Sequence, residues 1–309
     1  MSPTPPSDTT TLGQAPLDKQ KAQDDDLRCW SVTTIIGALD KPALVYWAAT
    51  ETAKAAVEDL EQVQALAKKN PDDAVEWLSK ARFRTGKNVR TAAELGTAVH
   101  EACEQYALTG IKPDVDDEVQ PFLNQFDQWA QTFQPSYQAT EVAVYSPTYG
   151  YAGTCDAFLT LDGVPLICDY KTTRKSVDGK GKPTTPYPEV ALQLAAYRYA
   201  DLAAVWRPRR MEHYRRRYYL LSPAEQAAAV PVPEVEGGVC IHITPGHCEA
   251  YPIVCDEDVF ERYLHVTEAA RWQFELSKTV IGEPLQPPVG GPPDLALFDP
   301  GPEPFGEAA

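Results

Sequence analysis

The sequence predicts a mixed α/β (α+β) protein: a mixed β-sheet core flanked by helices, with a helical N-terminal part and disordered tails. Three observations point there. The first half of the chain carries apolar residues at helical spacing. After residue 135 the pattern changes to period two over three successive segments. A helix, a hairpin and a closing helix then follow, and this order belongs to a mixed sheet with helices packed against it.

Residues 1–26 are rich in Pro, Thr and Asp and are expected to be a disordered tail. SVTTIIGALDKPALVYWAATETAKAAVEDL opens on a β-prone stretch, and Pro42 stands where a helix begins. DDAVEWLSKARF is a second helical segment. In TAAELGTAVHEACEQYALTG, Thr91 and Glu94 form a capping box and Gly110 lies where a C′ glycine belongs. DDEVQPFLNQFDQWAQTF is the next helix. TEVAVY, YAGTCDAFLTL and VPLICDYKT read as three strands joined through SPTYG and DG turns. EVALQLAAYRYADLAAVW returns to helix, GGVCIHI and CEAYPIV form a hairpin around TPGH, and DEDVFERYLHVTEAARWQFEL closes the body. The Pro-rich, acidic segment 283–309 is a second expected disordered tail. The folded body is thus expected over 27–282, with a helical part at 27–135 and a sheet core at 136–282.

The 309 residues, 43% hydrophobic and 23% charged, suit a globular chain that buries its core without disulfides. No apolar run is long enough to span a membrane, and the first residues have no basic and apolar leader, so no membrane partner and a cytoplasmic location are expected. The seven cysteines are odd in number and contain no CxxC, which speaks against a disulfide framework and the commonest zinc spacings. The net charge of −16 argues against a non-specific polyanion binder, yet the two tails hold −3 and −5 of it. Two segments are basic, 80–90 and 207–217, each at a net +5.

Alternation in VPLICDYKT puts Ile167, Asp169 and Lys171 on one strand face. A carboxylate there can hold a hard cation, and an ammonium beside it can orient a water or offset negative charge. Taken alone, such a pair is far more often a solvent-facing ion pair at a strand end. Asp156 sits in the middle of an otherwise apolar strand, which is costly unless the carboxylate is paired or binds metal. A hairpin would bring it beside Asp169, and Gly153 permits a close backbone approach. On the helix, Gly96, His100, Cys103 and Ala107 share one stripe, whose small residues would let the helix approach the sheet. His100 there is either a ligand or an ordinary helix histidine. Gln193 and Tyr197, four apart, share a helix face.

GTAVHE, GTCD, CDYKT and QLAAY, in that order, resemble the PD-(D/E)XK nuclease superfamily, and within it the RecB-type nuclease domain with its phage exonuclease and CRISPR adaptation relatives. SVTTIIGALDKPALVYWA is similar to the start of such phage exonucleases, and the resemblance spans about residues 29–275. It implies a restriction-endonuclease-like fold and a metal-dependent DNA exonuclease of phage-type recombination, repair or replication. It also implies Mg²⁺ or Mn²⁺ held by His100, Asp156, Asp169 and the Tyr170 carbonyl. Lys171 would be the catalytic lysine, together with Asp169 and Asp156. Gln193 and Tyr197 would support the site, with Glu104 and Glu141 as further acids. Several relatives carry an iron–sulfur cluster, but the spacing of Cys240, Cys248 and Cys255 after Cys29 lacks the tight cysteine element, and no cluster is expected. Arg82, Arg84, Lys87, Arg90, Arg215, Arg216 and Arg217 bracket these motifs and are candidate DNA contacts, with Phe83, Tyr214, Tyr218 and Tyr219 placed to stack on bases. The expected partner is a DNA end, double- or single-stranded, beside a single-strand annealing protein or helicase, in the host cytoplasm if the chain is phage-encoded. A structure-specific endonuclease and a non-catalytic DNA-binding module remain the alternatives.

Overall fold

The computed structural model describes residues 26–81, 90–204, 209–213, 216–282 and 284, with backbone only at 42–44, 209–213 and 216–217. Apart from residues 26 and 284, the expected tails lie outside the described residues, as do Arg82, Arg84, Lys87 and Arg215. The chain divides into a compact unit, Met1–Ala270, and a second unit, Arg271–Ala309.

The first unit begins with strand β1 (Leu27–Ser31), a short helix α1 (Val32–Ile36) and helix α2 (Pro42–Glu58), which opens at Pro42. Helices α3 (Leu60–Lys69) and α4 (Pro71–Ser79) follow; α3 is an element that the sequence does not single out, with Val63 and Leu66 half-buried and Leu60 exposed. Helix α5 (Ala92–Thr109) carries the Thr91–Glu94 capping box and ends on Gly110 in the left-handed region, as its sequence predicts. Helix α6 (Gln120–Phe133) has Pro121 in its first turn.

The sheet core follows as β2 (Ser136–Ser146), β3 (Tyr151–Leu161) and β4 (Val164–Thr172). The β3–β4 turn is the two-residue pair Asp162–Gly163, both at positive φ, the geometry that follows the twist of a hairpin. Helix α7 (Glu189–Arg198) is shorter than its sequence predicts. Leu202 and Ala203 leave the helical pattern to form β5 (Leu202–Ala203) on β2, where unpaired backbone groups of Val144 and Tyr145 accept them. Asp201 fixes the bend, accepting hydrogen bonds from the Ser146 hydroxyl at 2.9 Å and the Thr148 N–H at 3.1 Å.

Of the basic segment 207–217, the described residues lie in two antiparallel strands, β6 (Arg209–His213) and β7 (Arg216–Leu221), and β7 also pairs with β1. A short helix α8 (Pro223–Ala228), strands β8 (Val230–Pro231), β9 (Gly237–Ile243) and β10 (Cys248–Ile253), and helix α9 (Glu257–Phe274) complete the order. The second unit holds the last residues of α9 and a 3-10 turn, Leu276–Lys278.

The ten strands form one mixed sheet, with path β10-β9-β4-β3-β1-β7-β6 and the β2-β5-β8 branch attached at β3. On one face, Leu159, Cys168, Tyr170 and Ile241 bury against Leu95, Val99 and Cys103 of α5 and Phe122, Phe126 and Trp129 of α6. Alternation turns Asp169 and Lys171 to the other face, where α7 packs on β3, β4 and β9.

Candidate active site

A strand has two edges. On β3, β2 takes one edge along nearly its whole length. The other is shared by β1, paired in parallel at Tyr151 and Ala152, and β4, paired antiparallel from Ala157 to Leu161. Residues Gly153–Asp156 are therefore uncovered on that edge, in a split between β1 and β4. The continuing register sets Asp156 opposite Asp169. On the β2 side the ladder passes from Thr140↔Ala157 to Val142↔Cys155 and skips the position where Glu141 faces Asp156. Glu141 adopts φ 51°, a left-handed conformation rare for a side-chain-bearing residue in a strand. Three acids thus stand in a row across β2, β3 and β4 where both ladders are interrupted. Backbone strain of this kind is concentrated at functional sites.

The Asp156 carboxylate fills the gap in the ladder. Its Oδ2 accepts the Tyr170 N–H at 2.6 Å and lies 3.7 Å from His100 Nδ1. His100 reaches it from α5 and packs edge-on against the Tyr170 ring, with centroids 5.7 Å apart. Asp169 is almost wholly buried. Its Oδ1 accepts from Gln193 Nε2 at 2.7 Å, and its Oδ2 is paired with the Lys171 ammonium, with Nζ at 2.5 Å. Lys171 Nζ also donates to Gln193 Oε1 at 3.1 Å, and Gln193 Nε2 donates to the Tyr197 hydroxyl at 3.2 Å. Gln193 therefore reads both members of the Asp169–Lys171 pair with its two ends.

Burial pushes the Asp169 carboxyl above its ordinary range; Lys171 opposes that shift and Asp156 adds to it. Burial pulls the Lys171 ammonium down, but Asp169 and Asp156 outweigh it, and the net direction is up. The structure thus holds a desolvated carboxylate pair stabilised by one ammonium.

His100, Asp156, Asp169, Tyr170, Lys171, Gln193 and Tyr197 are brought together as the sequence places them, and Glu141 joins them by register. Glu104 lies one turn beyond His100 on α5, half-buried. As the side chains stand, no three His, Cys, Asp or Glu residues among the described residues are gathered about one point as a metal cage. Contrary to the expectation that small residues seat α5 on the sheet, a Cβ at Gly96 would meet nothing within 4 Å, because the buried face is the Leu95–Val99–Cys103 stripe and Gly96 lies at its margin. Close approach is provided by Gly153 instead. A Cβ there would lie 2.4 Å from Tyr197 Cε1, so the glycine lets the Tyr197 ring sit over the split.

The expected DNA contacts fare differently. Arg90 pairs with Asp116 at 2.7 Å and Glu118 at 3.7 Å, while Arg174 joins Glu118 at 2.8 Å and donates to the Arg90 carbonyl at 2.5 Å. This network ties the entrance of α5 to the exit of β4. Sequence reasoning missed it because Asp116, Glu118 and Arg174 belong to no motif and meet only in the fold. Arg216 and Arg217 lie on β7, where only their backbone is described. Tyr218 and Tyr219 are buried in the sheet and not available to bases, since β7 is covered by neighbouring elements; Phe83 and Tyr214 lie outside the described residues. Of the cysteines singled out in the sequence, Cys29 packs in a core with Tyr145 and Tyr219, and Cys255 lies against Gly238.

No family model and no curated relative matches the chain. Among solved structures, the one described as "Crystal structure of SSO0001" is similar at 16% identity and a TM-score of 0.34, over 82% of this chain and 79% of that one. Among the described residues no helix is long and apolar enough to cross a membrane.

Proposed function

We propose that the chain is a metal-dependent DNA nuclease of the PD-(D/E)XK type, acting as an exonuclease at DNA ends. The observation that carries this reading is the convergence of Asp156, Asp169 and Lys171 on the uncovered stretch of β3, with Gln193 bonded to both Asp169 and Lys171. A structural ion pair would need no such split. Two neighbouring carboxylates with a single ammonium beside them leave negative charge that a bound cation would offset.

The donor set fits a hard divalent ion. Asp156 and Asp169 supply oxygens, His100 an imidazole nitrogen and Tyr170 its carbonyl, a mixture suited to Mg²⁺ or Mn²⁺. When bound, the ion would polarise a phosphodiester and lower the pKa of a water. The chain's own residues do the rest. Lys171, held by Gln193, keeps an ammonium beside the reacting phosphate, where it orients the water and offsets developing charge. Tyr197 closes over Gly153 and holds Gln193. His100 fixes the Asp156 carboxylate from the opposite helix. Glu141 and Glu104 are the acids that would hold a second ion or its water. If the chain is phage-encoded, this reading implies an annealing protein or helicase as its partner in the host cytoplasm.

The test is cleavage of end-labelled linear and covalently closed DNA in EDTA, Mg²⁺ and Mn²⁺, by the wild type and Asp169→Asn. Shortening of linear DNA alone that needs metal and vanishes in the variant supports an exonuclease. Cleavage of closed DNA would point to a structure-specific endonuclease. Folded protein that binds DNA and cuts nothing in any metal would sink the enzyme and leave a binding module.

A further inference from the structure

The residues between β4 and α7 form a structured hairpin, not a slack connection. Val177 and Pro183 bridge antiparallel, and the Thr184 N–H donates to the Ser176 carbonyl at 3.1 Å. The Thr184 hydroxyl donates to the Lys175 carbonyl at 2.8 Å. At the tip, the Asp178 N–H donates to the Lys182 carbonyl at 2.7 Å, and the Asp178 carboxylate accepts the N–H groups of Lys180 at 2.7 Å and Lys182 at 2.9 Å. Gly181, at φ +76°, makes the turn that brings them there. At the base, Gly246 in the β9–β10 turn comes so close to Ser176 that a Cβ would meet the Ser176 Oγ at 2.6 Å. The tip's one carboxylate is thus spent on the backbone of its own turn.

Lys175, Lys180 and Lys182 are all exposed, and among the described residues none of the three pairs with a carboxylate. On a chain of net charge −16, three exposed ammonium groups against the single carboxylate of Asp178 leave the hairpin locally positive, a local reversal of sign. Arg174, by contrast, is committed to Glu118 and Arg90, which anchors the foot of the hairpin beside the entrance of α5. One leg of the hairpin starts directly after the β4 segment that carries Asp169 and Lys171, and the other leads into α7, which carries Gln193.

We infer that this hairpin is a phosphate-backbone grip, in which Lys175, Lys180 and Lys182 hold the DNA strand next to the Asp156–Asp169–Lys171 site. The inference rests on the nuclease reading for its ligand, and only for that. A hairpin fixed by its own backbone presents its ammonium groups with little ordering cost, and phosphate contacts of this kind position a strand without reading its sequence.

The test uses the full chain and a short fluorescein-labelled duplex and its single strand. Anisotropy is followed in EDTA, so that no cleavage occurs, over a range of salt. The triple variant Lys175→Ala, Lys180→Ala, Lys182→Ala keeps every backbone and Asp178 contact of the hairpin. It is expected to bind at least about tenfold more weakly, with the salt slope reduced by about one for each phosphate no longer gripped. Lys68→Ala, Lys69→Ala removes two exposed charges from α3 and is expected to change neither. A triple variant with wild-type affinity and slope overturns the inference, as does a wild type with no DNA affinity. An equal loss in the α3 control overturns it too, since the effect would then be net charge. If the wild type binds through the hairpin and cuts nothing in any metal, the nuclease reading falls and the grip stands.

Discussion

At residue scale, Gly153 and Tyr197 are one unit. Gly153→Ala puts a methyl 2.4 Å from the Tyr197 ring, and the ring cannot yield without disturbing its hydroxyl contact to Gln193. We expect a stability loss of about 1–3 kcal/mol, read as a lower urea midpoint, together with loss of any metal-dependent cleavage. Tyr197→Phe removes only the hydroxyl and is expected to be milder. Combining Gly153→Ala with Tyr197→Ala should be less damaging than the sum, because the second change makes room for the first. An additive pair would show that the two do not meet.

His242 gives a pH dependence whose sign is fixed by its surroundings. It is buried, its Nε2 faces the Thr173 hydroxyl at 2.9 Å, and its Nδ1 has no partner. Burial lowers its pKa, His247 lowers it further, and Glu249 opposes them. The folded value is then below the unfolded one of about 6.5, so on acidification the unfolded chain takes up the proton first. Stability present above about pH 6.5 is lost as pH falls below it. The urea midpoint of the wild type should drop more steeply between about pH 7 and about pH 5 than that of His242→Asn. Equal slopes would remove His242 from the account.

At the scale of elements, α5 carries His100 and depends on its N-terminal cap. The Thr91 hydroxyl accepts the Glu94 N–H at 3.2 Å, and the Glu94 carboxylate accepts the Thr91 N–H at 2.6 Å. Thr91→Ala should cost about 1 kcal/mol, measured by thermal or urea unfolding. The cap is fully legible in the sequence, because a capping box is a local pattern of local bonds. The hairpin from Arg209 to Leu221 is not: its charge suggests a surface segment, while its strand state comes from β1, far away in sequence. Likewise α7 reads as longer than it is, because Leu202 and Ala203 leave the helical pattern for the free edge of β2.

At the scale of the molecule, the interior accounts for the cysteines. Six of the seven are buried and one is partly exposed. Burial pushes the Cys29 thiol up to about 12, with Asp201 adding to the shift, so little thiolate forms near neutral pH. A bulky thiol reagent should label at most one cysteine in the native protein and all seven once it is unfolded. Rapid native labelling of several would contradict the packing described.

The sequence by itself determined what depends on near neighbours. Alternation set Asp169 and Lys171 on one face of β4, the Asp162–Gly163 turn set Asp156 opposite Asp169, and helical spacing set Gln193 beside Tyr197. Tertiary structure decided what depends on which strands share an edge. That β1 and β4 divide one edge of β3, leaving Gly153–Asp156 open, follows from a pairing between residues more than a hundred positions apart. The meeting of Gln193 with both Asp169 and Lys171, and the anchoring of Arg174 through Glu118, are likewise made between elements and not within one. Local patterns record the torsions and faces of single elements, whereas the choice of neighbour is made by the collapse of the whole core, and no short segment carries it.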